Sequence, residues 1–310
     1  MLLTITPNPA LDRTLVVPQL VVGAVLRAER TLIAAGGKGL NVARAAHTLG
    51  LRVRVCAPLG GFTGAQIAQL AAAEGFDGRW SSIANETRTC SLLVDPTANR
   101  ATAINEHGPL LSGAEWTAFT DCAYHATTGV ALTTISGSLP LGIAPTALGT
   151  LVQCLSNCTR VIVDSSGAAL AAALAVRPYG IKVNGEELGL VLGFPITTVA
   201  EAMRALVTLA QRGIALGVVT MGAEGAVAHD ATGTYYARPP QLPGIVSAIG
   251  SGDSLLAGLA AGIIAGDPLS AALRLGVACG TADALTIGGG LSEIPTLERI
   301  QPAIEIVKLV

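Results

Sequence analysis

The chain has 310 residues, a formal net charge of −2, 51% hydrophobic residues and 13% charged ones, enough for one large α/β domain with an appendage or for two small domains. Aromatic residues are only 3% and no basic patch alternates with them, which removes the stacking platforms a nucleic-acid partner would need. Mean hydropathy is +0.58, but the longest uncharged stretch, between Asp121 and Arg160, is broken by "SGSLPLGIAP"; with no other run of about 18 apolar residues, no membrane helix is expected.

The first segment, "MLLTITPNPALDR", lacks a basic stretch and has prolines too early for a signal peptide, so a cytoplasmic protein is expected. Within it "LLTIT" (2–6) reads as a buried strand. Residues 11–35 follow as strands without an intervening helix. A helix is expected over 40–49, where Val42, Ala45, Ala46 and Leu49 make a stripe and Gly50 supplies the stop. "VRVCA" (53–57) is the next buried strand, and residues 86–106 again read as strands alone. "VALTTI" (130–135), "VIVD" (161–164), "IKVN" (181–184) and "GVVTM" (217–221) complete the buried set, with Ala- and Leu-rich helical stretches between them. Such alternation implies a mostly parallel sheet covered on both faces, with ligands beyond the carboxyl ends of its strands. The two helix-free segments, about 11–35 and 86–106, suggest a small separate sheet, a discontinuous β lid on a single domain spanning 1–310.

Six cysteines are scattered through apolar segments. Cys154 and Cys158 are spaced to face each other across one helical turn, yet no histidine or second cysteine pair completes a metal set, so buried thiols are expected.

Lysine is the informative count. Only Lys38, Lys182 and Lys308 stand among 19 basic residues. Lys308 is near the terminus and needs no explanation. Lys38 lies in "AAGGKGLNVARA" (34–45), three glycines at a helix entrance, where close backbone approach, free N–H donors and a point charge suit a phosphate or sugar oxygen. An ordinary Gly-rich turn is the plainer alternative. Lys182 lies in "IKVNGEE" (181–187), at a strand's carboxyl end, where it could reach a nucleotide phosphate. Asn184 and Glu187, three apart, could organise magnesium through water, or simply cap the next helix. "MGAEGA" (221–226) would let an adenosine approach the backbone. "IGSGDSLLAGLAAGI" (249–263) holds one carboxylate, Asp253, which reads first as a cap for a helix N-terminus. Neither a Walker pattern nor a G-x-G-x-x-G fingerprint occurs, against a P-loop ATPase and a nicotinamide dehydrogenase.

Taken in order, "TPNPALDRT", "AGGKGLNVARA", "ETRT", "NEHGP", "SGSLP", "VDSSG", "IKVNGEE", "MGAEGA" and "GSGDSLLAG" resemble the ribokinase/PfkB carbohydrate kinase family over about residues 3–307. They look most like its branch of 1-phosphofructokinases and tagatose-6-phosphate kinases. The resemblance implies a three-layer α/β/α sandwich with a β lid, and ATP·Mg²⁺-dependent phosphorylation of a sugar-phosphate hydroxyl. The acceptor expected first is fructose 1-phosphate, with tagatose 6-phosphate or fructose 6-phosphate as alternatives and a non-catalytic sugar-phosphate sensor as a rival of another class.

Carried over by position, Asp253 matches the catalytic base, and Gly250, Ser251 and Gly252 the turn whose amides form an anion hole. Asp12, Gly37, Lys38 and Asn41 match sugar-side positions, with Asn105 and Ser138 beside them, and Arg88 matches a substrate-phosphate position. Lys182, Asn184 and Glu187 match the nucleotide–magnesium motif, Glu187 acting through water, and Thr220, Gly222 and Gly225 fall on the nucleotide side. Backbone around Ser247, Ile249 and Gly288 falls where related kinases hold a monovalent cation such as K⁺. Asp253 is expected to be both cap and base, kept ionised near neutral pH by the helix dipole. Lys38, Arg88 and Arg27 are expected on the acceptor side, apart from Lys182. A homodimer through the lid is the assembly implied. Val183 replaces a usual proline, Gly185 a larger residue, and His107 a common proline.

Overall fold

A computed structural model describes residues 1–244, 247–290 and 293–310. In chain order the elements are β1 (Leu2–Ile5), β2 (Ala10–Val16), β3 (Arg30–Gly36), α1 (Lys38–Thr48), β4 (Val53–Leu59), α2 (Gly61–Ala73), β5 (Asp77–Ser82), β6 (Arg88–Asp95) and β7 (Arg100–Asn105). Next come α3 (Gly113–Ala126), β8 (Leu132–Ser136), α4 (Thr146–Ser156), β9 (Arg160–Asp164), α5 (Gly167–Ala175), β10 (Gly180–Asn184), α6 (Gly185–Leu192), α7 (Val199–Gln211) and β11 (Leu216–Thr220). The chain closes with β12 (Ala226–Asp230), β13 (Gly233–Arg238), α8 (Ser251–Ala265), α9 (Leu269–Asp283), α10 (Ile294–Ile300) and β14 (Glu305–Lys308).

Among the described residues the main sheet has ten strands in the order β14-β13-β12-β11-β10-β9-β8-β1-β4-β5. From β5 to β11 every pairing is parallel, and β12, β13 and β14 add an antiparallel edge. That edge had no helical punctuation to announce it. Side-chain alternation sends Leu2 to one face, with α1, α2, α8 and α9, and Leu3 and Ile5 to the other, with α3 and α4. Farther along, Ile181 and Val183 pack on α6 and α7. Three layers result, as the alternating pattern implied. No helix among the described residues is long and apolar enough to cross a membrane.

A second sheet, β3-β2-β6-β7, stands apart, with β2 parallel to β6. It is built from the two helix-free excursions, one between β1 and α1 and the other after β5. The cysteines depart from expectation. Only Cys56 and Cys279 are buried, and Cys158 is exposed beyond the end of α4, still near enough to add to the rise that burial gives the Cys154 thiol.

Candidate active site

One cleft of about 1020 Å³ lies between the small sheet and the carboxyl ends of the parallel strands. Its lining brings together Asp12, Gly37, Lys38, Asn41, Arg88, Asn105 and Ser138 with Lys182, Asn184, Glu187, Thr220, Gly222 and Gly225, and with Gly250, Ser251, Gly252 and Asp253. Ile249 lines it too, whereas Arg27, Ser247 and Gly288 are not among its lining residues and Arg13 is.

The floor is a charge cluster. β9 ends in Asp164, whose side chain is fully buried, and both carboxylate oxygens are occupied: Lys38 Nζ donates to Oδ1 at 2.9 Å and Lys182 Nζ to Oδ2 at 2.8 Å. Burial would push Asp164 up, but Lys182 and then Lys38 hold its carboxyl below the usual range. Burial would likewise lower Lys38, and Asp164, Asp253 and Glu187 together outweigh it, keeping the ammonium firmly charged. The two rare lysines therefore share one carboxylate instead of serving opposite ends of the cleft, which corrects the separation expected from sequence. Asp164 was overlooked although it sits in "VDSSG"; a charge ending an otherwise apolar buried strand was the available signal.

Asp253 is not a cap. The N-cap of α8 is Gly250, in the left-handed region at φ 94°, and among the described residues no side chain caps that end. A Cβ at Gly250 would lie 2.7 Å from the Gly289 Cα, a backbone atom, so the turn needs glycine there, while one at Gly252 would crowd the Lys182 ammonium at 2.8 Å. Asp253 is 5% exposed and accepts a hydrogen bond from Asn41 Nδ2 at 2.9 Å. Burial first, and Asp164 second, raise its carboxyl to about 7 against the pull of Lys38, Lys182 and Asn41. The expectation that the helix dipole keeps Asp253 fully ionised near neutral pH is corrected: desolvation wins. An acid poised near 7 suits proton transfer at neutral pH.

The roof differs. Arg88 donates to the backbone carbonyls of Asn8 at 3.0 Å, Pro9 at 3.4 Å and Glu106 at 3.0 Å. It is a half-buried brace that ties the β1–β2 connection to the end of β7, not a solvated surface arginine. Beneath it Asp12 is raised to about 6 by burial, tempered by the Gly37 backbone, Arg44 and Arg88. Asn8, missed from sequence, donates through Nδ2 to Ser138 Oγ at 3.0 Å, and its own Oδ1 has no partner among the described residues.

On the far side Asn184 and Glu187 form a reciprocal capping box at the start of α6. The plainer alternative is thus realised, and Glu187 Oε1 remains toward Lys38 Nζ at 3.9 Å. Gly185 replaces the larger residue because a Cβ there would stand 2.3 Å from the Ile196 carbonyl oxygen. After β11, Gly222 and Gly225 take φ of 58° and 94° in a short 3₁₀ turn.

An uncapped helix N-terminus beside two ammonium groups fits a polyphosphate. The described residues hold no cluster of three His, Cys, Asp or Glu for a metal, and Asp164 is fully engaged. What remains, one oxygen of Glu187 and nearby Asn184, fits a magnesium ion that keeps its waters and takes phosphate oxygens as ligands.

Comparison with known proteins agrees with this geometry. Residues 8–297 match the description "pfkB family carbohydrate kinase". The chain is 34% identical over 307 residues to a 1-phosphofructokinase of Vibrio cholerae, covering 99% of this chain and 96% of that one. It is 36% identical to a 1-phosphofructokinase of Xanthomonas campestris over 260 residues, 82% of this chain and 81% of that one. Among solved structures, phosphofructokinase-2 from Escherichia coli in complex with potassium superposes with a TM-score of 0.90 at 28% identity, covering 97% and 98% of the two chains. With a matched pattern from end to end and a cleft that gathers its residues, this chain belongs to the pfkB family of carbohydrate kinases.

Proposed function

We propose that the chain transfers the γ-phosphoryl group of ATP to a hydroxyl of fructose 1-phosphate, giving fructose 1,6-bisphosphate. The observation that carries this reading is Asp253: a buried carboxyl held by Asn41, at the first turn of a helix whose N-terminus has no side-chain cap among the described residues, in a cleft with two lysines. In that arrangement Asp253 accepts the proton of the attacking hydroxyl, while Asn41 donates to its carboxylate. The amides of Gly250, Ser251 and Gly252 meet the charge on the transferring group, with Lys38 and Lys182 beside them. Phosphoryl transfer passes through a loose transition state, so positioning and charge stabilisation supply most of the rate. A magnesium ion, when bound, neutralises phosphate charge, and Glu187 and Asn184 are the residues that would orient it through water.

On this reading Asp12, Gly37, Asn105 and Ser138 face the sugar, with Arg88 on its phosphate, and Thr220, Gly222 and Gly225 face the nucleoside. The small sheet serves as a lid on one domain. Its exposed apolar residues, Val21, Val22, Val25 and Ile33, suit a homodimer through the lid. Backbone near Ser247, Ile249 and Gly288 is the candidate position for K⁺, by analogy with the potassium-bound relative. A supply of ATP is what this reading needs, and a cytoplasmic enzyme is the proposal that goes with it.

A second reading, fructose 6-phosphate as acceptor, is favoured by the likeness to phosphofructokinase-2 solved in complex with fructose 6-phosphate. An ATP-coupled assay across fructose 1-phosphate, fructose 6-phosphate, tagatose 6-phosphate, fructose and ribose separates them. The expected order puts fructose 1-phosphate first by kcat/KM. Faster turnover of fructose 6-phosphate would install the second reading, and a preference for free sugars would overturn both.

A further inference from the structure

Arg44 lies on α1, a turn beyond Asn41, and is only 7% exposed although it carries a full charge. All its donors are directed. Nε donates to Glu74 Oε2 at 2.6 Å and Nη2 to Glu74 Oε1 at 2.9 Å, a two-pronged ion pair. Nη2 also donates to the Ala35 carbonyl at 2.6 Å, on β3 of the small sheet. Nη1 donates to Asn41 Oδ1 at 3.2 Å and to the Gly289 carbonyl at 3.0 Å.

The contact with Asn41 decides an orientation. A side-chain amide has an acceptor end and a donor end. With Oδ1 engaged by Arg44, the Nδ2 end is the one left toward Asp253, where it donates at 2.9 Å. A reversed amide would set an oxygen against the carboxylate just when that group must be ionised. The Gly289 contact adds a second restraint. A Cβ on Gly289 would lie 2.9 Å from Asn41 Nδ2, so the loop lies directly on the amide that Arg44 orients, and Arg44 holds that loop by its carbonyl.

We propose that Arg44, anchored by Glu74, is a positioning residue for phosphoryl transfer, acting through the Asn41 amide on the base Asp253 and touching neither substrate. This rests on the reading of Asp253 as the base. Other charged groups facing Asp253 are Asp164 at the end of β9, Lys38 on α1 and Lys182 on β10, and none of them is bonded to Arg44.

The test compares Arg44→Lys, Arg44→Met, Asn41→Ala and the double variant Asn41→Ala/Arg44→Met, with Asp253→Asn alongside as the check on the base itself. Lysine keeps the charge for Glu74 but cannot supply the planar fork that reaches Asn41 at the same time. Arg44→Lys is expected to stay folded by circular dichroism and to lose roughly tenfold in kcat with an unchanged KM for ATP, the size of one hydrogen bond to a charged group. Its rising acid limb should move to higher pH, since the ionised carboxylate has lost a donor. Adding Arg44→Met to Asn41→Ala should cost almost nothing more in kcat. If the two changes multiply, or if Arg44→Lys keeps full kcat and an unmoved pH limb, Arg44 is structural only and the proposal falls. Should Asp253→Asn itself keep full turnover, the reading of the base fails instead, independently of whether Arg44 orients Asn41.

Discussion

The floor and the roof of the cleft hold their polar groups in different ways. On the floor, Asp164, Lys182, Asn41 and Asp253 are all buried, and each is bonded to another side chain. On the roof, Arg13 and Asn105 are exposed and Arg88 spends its bonds on backbone carbonyls. Buried charges survive only when paired, so the floor is specified as a unit and tolerates little change. The roof is specified mostly by its backbone. Side chains there can change to suit another acceptor while the apparatus of phosphoryl transfer below stays as it is.

Breaking the floor should therefore cost most. Asp253→Asn is expected to keep the fold and ATP binding and to lower kcat by about 10² or more, the loss of general-base help. Steady-state turnover equal to the wild type would remove Asp253 from the mechanism. Asp164→Asn leaves two ammonium groups without their shared carboxylate. It should lower the free energy of unfolding by about 3 kcal/mol, the cost of removing one partner of a buried ion pair, read from urea denaturation. An unaltered midpoint would show that the cluster is not a structural unit.

On the roof the expected effects are smaller and selective. Arg88→Ala should raise KM for fructose 1-phosphate about tenfold and leave KM for ATP almost unchanged, since it removes a positive charge from the acceptor side together with the brace that Arg88 makes to Asn8, Pro9 and Glu106. A selective loss of ATP affinity would reverse that assignment. Val22 and Val25 are 99% and 100% exposed, and the double change to aspartate should convert a dimer to a monomer in light scattering with little effect on the fold. A wild type that is monomeric at working concentration would dispose of the lid interface.

These differences also explain what could be read in advance. β1, β4, β8, β9, β10 and β11 are apolar runs bounded by turns, and each was visible as such. The strands of the small sheet were visible because 11–35 and 86–106 lack helical periodicity. The antiparallel edge was legible only in part: in "GAVAHDATGTYYAR" the two residues between Asp230 and Gly233 are too few for a parallel crossover and imply a hairpin, but nothing local says that this hairpin joins the main sheet beside β11. Gly37, Lys38, Lys182 and Gly250 to Gly252 were legible as glycine-rich turns and rare lysines, Asp12 and Arg88 through the family resemblance, and these line one cleft, which Arg27, Ser247 and Gly288 do not. Their partners were not legible. That Lys38 and Lys182 meet on Asp164, and that Asp253 turns from its own helix end to Asn41, are long-range contacts that no local pattern encodes. The shift at Asp253 follows from desolvation, which depends on the whole fold.

The most direct test of this account is the pH dependence of phosphoryl transfer at saturating substrates. Asp253 must be ionised to accept a proton, and burial with Asp164 nearby raises its carboxyl to about 7. The rate should climb with pH through about 7 and level off above it. In Asp164→Asn the neighbouring negative charge is gone, so the midpoint should move to lower pH. A rate that is flat between roughly pH 5.5 and 8.5, or a midpoint unmoved by Asp164→Asn, would contradict the claim that this buried cluster sets the protonation of the base.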